Sequence, residues 1–182
     1  MTKFLVTHSL ISSLSWYLKE SFIKTDEQQR QEFLQTLKRV KSESTPAMQK
    51  GLDFEYLIEK TCNWENGAIH WANLLSQKCE KLKSLEIQNY KDAVAFIDKN
   101  MDYLQCIKKF GQIVKGGIWQ HATKKELSVN GYNIVLYGRC DVIKADTVYD
   151  IKYTSNYELG KYQDSGQHWI YLYCTGLPKF SY

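Results

Sequence analysis

Over residues 1–115 the apolar positions recur mostly at helical spacing. From Phe4 to Lys19, the positions Leu5, Leu10, Ile11, Leu14 and Leu18 mark one face of a helix, with Ser and Thr near its start. The polar segment Thr25-Asp26-Glu27-Gln28-Gln29 opens a second helix carrying Phe33, Leu34 and Leu37. Its last turn, Lys38-Arg39-Val40-Lys41, places cations at the negative end of the helix dipole. Ser44-Thr45-Pro46 reads as a cap followed by proline at the first helical position. The helix it opens runs through Met48, Leu52, Tyr56 and Ile58 to about Cys62. Further helices are expected between Ala68 and Phe110, for example around Ala93, Val94, Phe96 and Ile97.

Past Gly116-Gly117 the period shortens. Residues 118–129 and 132–143 flank Asn130-Gly131, a strong signal for a tight hairpin. A polar turn at Lys144-Ala145-Asp146-Thr147 leads to a third strand, Val148 to Tyr153, completing an antiparallel β-meander. Helical spacing returns from Lys161 to Cys174, Gly176-Leu177-Pro178 ends it, and Phe180 to Tyr182 begins another strand. The pattern predicts one α+β domain over 1–182: a mainly helical part at 1–115, then meander, helix and strand at 116–182.

Composition narrows the class. At 182 residues and 43% hydrophobic content, the chain suits a single core and argues against disorder. It has no run of ~20 apolar residues, so no membrane partner is expected. Nothing at the N-terminus reads as a signal peptide. The five cysteines (Cys62, Cys79, Cys106, Cys140, Cys174) form no Cys-x-x-Cys pair, which points to a reducing, cytoplasmic setting. A net charge of +4 permits a polyanionic partner without demanding one. The four histidines, His8, His70, His121 and His168, lack metal-ligand spacing and read as structural.

Chemistry enters through acids placed among apolar strand residues. Aspartate is disfavoured in strands, yet Asp141 and Asp150 sit in Gly138-Arg139-Cys140-Asp141-Val142 and Val148-Tyr149-Asp150-Ile151-Lys152. A turn centred between Ala145 and Asp146 makes 141 and 150 opposed partners, with Cβ atoms ~5 Å apart. Two such carboxylates repel unless one is protonated or a cation lies between them; Mg²⁺ or Mn²⁺ meets that need with oxygen ligands. Lys152 follows on the same face, and the Ile151 carbonyl adds an oxygen donor. The alternative is a solvated Asp150–Lys152 ion pair and an unrelated Asp141.

These residues, taken in order, resemble the PD-(D/E)XK nuclease superfamily, and within it the RecB-like and lambda-exonuclease-like branch. Gly138-x-x-Asp141 resembles its G-x-x-D motif, Asp150-Ile151-Lys152 its D/E-h-K motif, and Gln167 to Tyr171 its Q-x-x-x-Y helix. Gly51-Leu52-Asp53-Phe54-Glu55 is similar to its helical G-x-x-x-E/H motif, and Thr7-His8-Ser9 to Leu14 to its serine-rich first helix. The resemblance implies a restriction-endonuclease-like core, the meander flanked by helices, and a divalent-metal-dependent deoxyribonuclease. Asp141, Asp150 and the Ile151 carbonyl would hold Mg²⁺ or Mn²⁺, Glu55 would complete the site, and Lys152 would orient the attacking water. Gln167 and Tyr171 would orient the lysine or meet the DNA backbone, and Tyr162 and Lys161 would touch substrate. Iron–sulfur members use an early cysteine and a late cysteine cluster; neither is present, so no iron–sulfur cluster is expected. Related nucleases usually add strands after this helix, so a short or missing strand is expected.

The reading is an exonuclease of DNA recombination, repair or phage DNA processing, in a bacterial or phage-infected cytoplasm. DNA, single- or double-stranded, would be held with little sequence preference, with Lys38, Arg39, Lys41, Lys124 and Lys125 as candidates to track phosphates. No Walker motif is present, so a recombinase or helicase partner would be a separate chain. A structure-specific endonuclease and a nucleic-acid-binding module without turnover are the competing classes, with an inhibitory interaction protein the third.

Overall fold

A computed structural model describes residues 3–19, 23–41, 43–62, 101–154, 156 and 158–182. The helices expected around Ala93, Val94, Phe96 and Ile97 lie outside the described residues, as do His70 and Cys79. The chain divides into two compact units, one formed by Met1–Gly51 with Gly117–Tyr182, the other by Leu52–Gly116.

The described elements, in order, are β1 (Lys3–Thr7), α1 (His8–Tyr17), α2 (Asp26–Leu37), α3 (Pro46–Cys62) and α4 (Met101–Val114). There follow β2 (Ile118–Val129), β3 (Tyr132–Lys144), β4 (Thr147–Tyr149), α5 (Gly166–Thr175) and β5 (Lys179–Ser181). The described elements are mixed α/β, and the five strands form one sheet, which lies in the first unit.

The hairpin forms as its turn residues dictate. Asn130 and Gly131 take φ values of 49° and 80°, the left-handed pair that a two-residue connection requires. At the next turn Ala145 adopts φ 51°, and β4 pairs with β3 as Val142↔Tyr149, Ile143↔Val148 and Lys144↔Thr147. β4 is shorter than the Val148–Tyr153 strand expected from sequence: just past it the Ile151 N–H is taken by the Asp141 side chain at 2.8 Å rather than by the β3 backbone. The last strand forms as expected and lies parallel to β4.

The start of the chain corrects the helical reading. Phe4-Leu5-Val6 is not helix but the middle of β1, which runs parallel to β3 from Lys3↔Asn133 to Thr7↔Tyr137. Sheet pairing prevails over helical spacing here, and Lys3 reinforces it through a 2.6 Å ion pair with Glu126 on β2. Thr7 then caps α1, its hydroxyl accepting the Leu10 N–H at 3.3 Å. The helical part thus begins with a strand, and the meander belongs to a larger mixed sheet rather than standing as a purely antiparallel one.

Elsewhere in the first unit local chemistry sets the helix limits. Thr25 and Gln28 form a reciprocal capping box at the start of α2. α2 ends at Leu37, so Lys38, Arg39 and Lys41 follow the helix rather than forming its last turn. Gln29, 8% exposed, bonds the Trp16 and Lys19 carbonyls at the end of α1, and Tyr17 stacks on Phe33 at 5.4 Å. α5 begins at Gly166 rather than Lys161, because Ser165 caps it, and Gly176 ends it with φ 71°. Buried Cys140, Val148, Ile170 and Tyr171 form the core cluster under this helix.

In the second unit Phe54, Leu57, Ile58 and Cys62 form the buried stripe of α3, and Ile107 and Val114 that of α4. Phe54 meets Phe110 edge-on at 6.1 Å. The cap expected before Pro46 is present: Thr45 accepts the Met48 N–H at 3.2 Å.

Candidate functional site

β3 is long enough to serve three neighbours, and this creates the site. β2 pairs along nearly all of β3 on one edge, while β1 ends opposite Tyr137 and β4 ends opposite Val142 on the other. The C-terminal ends of β1 and β4 therefore point toward each other across Gly138–Asp141. Asp141 lies in that interval, Asp150 follows β4 directly, and His8 opens α1 directly after β1.

Asp150 is the most enclosed acid described, 2% exposed. Burying a carboxylate is costly unless it is ion-paired and hydrogen-bonded. Both conditions are met: Lys152 ion-pairs with Oδ2, and Gln167 on α5 donates Nε2–H to Oδ1 at 2.8 Å. Asp141 Oδ2 accepts the Ile151 N–H at 2.8 Å, tying the peptide that follows Asp150 to the opposed acid. The β3–β4 register, extended by one pair, sets 141 opposite 150, as the turn arithmetic required.

Gln167 and Tyr171 work together. Spaced one helical turn apart on α5, they join through Gln167 Nε2 and the Tyr171 hydroxyl at 3.3 Å. The Tyr171 ring lies against Gly138, where an added Cβ would stand 2.4 Å from the ring. Gly138 thus gives Tyr171 its place, Tyr171 supports Gln167, and Gln167 holds Asp150. Tyr171 is at once core and support, its phenol pKa raised chiefly by burial. Cys140 beside them is no nucleophile, since burial and then Asp141 push its thiol up to about 12.

The β2–β3 ladder is interrupted where β2 passes Asp141. Gln120, within the strand, adopts φ 51°, and pairing skips from Trp119↔Val142 to His121↔Cys140, leaving out the pair that would include Asp141. A non-glycine residue held in the left-handed region costs ~1–3 kcal/mol, and such positions concentrate at functional sites.

His8, read from sequence as structural, belongs to this constellation. Its imidazole pKa is lowered by burial and by the charge of Lys152, against the opposing pull of Asp150. The only sequence signal was its place beside Thr7 and Ser9 at the head of the serine-rich helix. Tyr182 was also missed: its phenol pKa is raised first by burial, with Asp150 adding to the rise. Its one signal was the strand start at the chain's end.

Glu55 stands half-buried on α3 in the second unit. Lys161 reaches the Asn156 carbonyl at 3.0 Å and Thr154 Oγ1 at 3.4 Å, holding the loop that follows Lys152. Lys125 is tied to α5, its Nζ donating to the Tyr173 carbonyl at 3.2 Å and lying 4.2 Å from that ring.

Among the described residues no three His, Cys, Asp or Glu side chains gather to hold a metal ion. The donors that the strand register brings together are two carboxylates, Asp141 and Asp150, both hard-oxygen ligands. That set fits Mg²⁺ or Mn²⁺, which use one or two carboxylates and complete their coordination with water and substrate oxygens. Among the described residues no helix is long and apolar enough to cross a membrane. No protein-family model matches the chain, and neither a curated protein nor a solved structure does.

Proposed function

We propose that the first unit is a divalent-metal-dependent DNA nuclease of the restriction-endonuclease-like type, acting as an exonuclease in the cytoplasm. The observation that carries this reading is the enclosed Asp150, 2% exposed, paired with Lys152 and hydrogen-bonded by Gln167, with Asp141 in register across the turn. A solvated surface pair would not be buried on one side and supported by a glutamine from another element. The order of motifs that resembles the PD-(D/E)XK superfamily supports the same reading.

Asp141, Asp150 and the Ile151 carbonyl would hold the ion, which when bound supplies Lewis-acid polarisation of the phosphate and acidifies water. Lys152 holds its ammonium at the Asp150 carboxylate, where it orients an attacking water and offsets phosphoryl charge. Gln167 fixes the rotamer of Asp150, and Asp141 fixes the Ile151 peptide, so the oxygen donors are positioned before substrate arrives. A recombinase or helicase chain is the partner class that such an exonuclease serves.

A second reading has an observation in its favour. Lys152 already compensates Asp150, and the described residues supply two carboxylates rather than three metal-capable groups, as suits a module that binds nucleic acid without cutting it. One experiment separates the readings: incubate the full chain with end-labelled linear DNA and with closed circles, in Mg²⁺ or Mn²⁺. Loss of linear DNA with circles spared supports the exonuclease, and loss of both supports an endonuclease. Retention of both, with binding, supports the binding module and sinks the enzyme.

A further inference from the structure

We propose that His8 is a further substrate-contacting residue of this site, its imidazole N–H donating to a non-bridging oxygen of the DNA phosphate under attack. The inference rests on the nuclease reading and adds a catalytic group to it. Strand register puts His8 there. β1 runs parallel to β3 and stops at Thr7↔Tyr137, while β4 runs antiparallel to β3 and stops at Val142↔Tyr149. Both lie along the edge of β3 that β2 leaves free. The residues that follow them, His8 from one side and Asp150 to Lys152 from the other, therefore enter the same gap.

α5 borders that gap. An added Cβ on Gly166 would stand 3.9 Å from His8 Cδ2, so the ring lies by the first residue of α5, next to Gln167, which holds Asp150. Both Asp150 oxygens are already engaged, Oδ1 by Gln167 and Oδ2 by Lys152, and neither is left to take the imidazole N–H. Among the described residues neither ring nitrogen of His8 has a hydrogen-bond partner, although the side chain is half-buried. Burial, and then the charge of Lys152, lower its pKa. At neutral pH the ring is therefore uncharged, with one N–H to give and no repulsion toward Lys152 or a divalent cation. His8 is also the first residue of α1, the end at which the helix dipole favours an anion. Beside a carboxylate pair that holds a metal, such a donor would meet the phosphoryl oxygens, where negative charge must be stabilised during hydrolysis.

The test measures single-turnover cleavage of end-labelled linear DNA by the full chain in Mg²⁺, and binding of the same DNA by anisotropy in Ca²⁺. His8→Ala is expected to slow cleavage by about 100-fold, the usual loss for one donor to a developing oxyanion. The Kd should change by less than about threefold, because the contact matters most in the transition state. His8→Asn, which keeps an N–H donor, should recover about tenfold of the lost rate, and free imidazole should restore part of the His8→Ala rate. Should His8→Ala not fold, His8→Leu, closer in volume, carries the same expectation. Cleavage by His8→Ala at the wild-type rate, a loss confined to Kd, or a loss that neither asparagine nor imidazole repairs overturns the role. In each of those cases the wild type still cuts DNA, so this inference alone is lost. If the wild type does not cut DNA, the nuclease reading falls with it.

Discussion

Replacing Gly138 by alanine tests the chain of support beneath the site. The new Cβ would stand 2.4 Å from Tyr171 Cε1 and 2.6 Å from Cδ1. Carbon atoms pack best at ~3.5–4.0 Å, so the ring must retreat by about 1 Å. Tyr171 is 8% exposed and packs among Cys140, Val148 and Ile170, which leaves little room for that movement. Overpacking of this kind costs ~1–3 kcal/mol, and for a chain of this size each kcal/mol lowers Tm by ~2–4 °C. The displacement also travels, because the Tyr171 hydroxyl contacts Gln167, which bonds Asp150. Urea unfolding of Gly138→Ala, Tyr171→Leu and the double variant measures the coupling. The second substitution removes the obstructing ring, so the double variant should be less destabilised than the sum by ~1 kcal/mol or more. Strict additivity, or a neutral Gly138→Ala, would refute the proposed contact.

Gly51→Ala should have the opposite sign. Gly51 lies inside α3 with nothing within 4 Å of an added Cβ, so the substitution should stabilise by ~0.5–1 kcal/mol in chemical denaturation; a loss would contradict the open space described. His8 carries a pH prediction. Its folded-state pKa lies below the ordinary ~6.5, so its contribution to stability is complete above that pH and is lost as pH falls through the folded-state value. Denaturation midpoints of the wild type and His8→Asn should therefore diverge below pH ~6.5, and parallel profiles would count against the assigned environment. Lys152→Met leaves the buried Asp150 carboxylate without its cation, and a cost of ~1–3 kcal/mol is expected from thermal unfolding. An unchanged Tm would mean the pair is as weak as a surface one.

Much of the site was legible in the sequence because strand register is arithmetic. Asn130-Gly131 sets the hairpin, and a turn centred on Ala145-Asp146 places 141 opposite 150 by counting alone. The four-residue spacing of Gln167 and Tyr171 likewise gave their shared helix face. What the sequence hid depends on partners distant in the chain. Phe4-Leu5-Val6 becomes a strand only because β3 offers a free edge from Asn133 to Tyr137. That pairing then brings His8 to the acids. The early end of β4 goes with the Ile151 N–H bonding a side chain, Asp141, in place of the β3 backbone, which no propensity reveals. The need for glycine at 138 depends on a tyrosine of another element, which no local pattern reveals. Even the correct expectation that Lys152 lies beside Asp150 did not disclose how deeply that acid is buried.

The central claim is that Asp141 and Asp150 together hold a divalent cation. Anomalous diffraction from crystals soaked in Mn²⁺ tests it most directly. A peak in contact with oxygens of both carboxylates, lost in Asp141→Asn crystals, is the result expected. A peak elsewhere, or none while Lys152 keeps its pairing with Asp150, would contradict the claim.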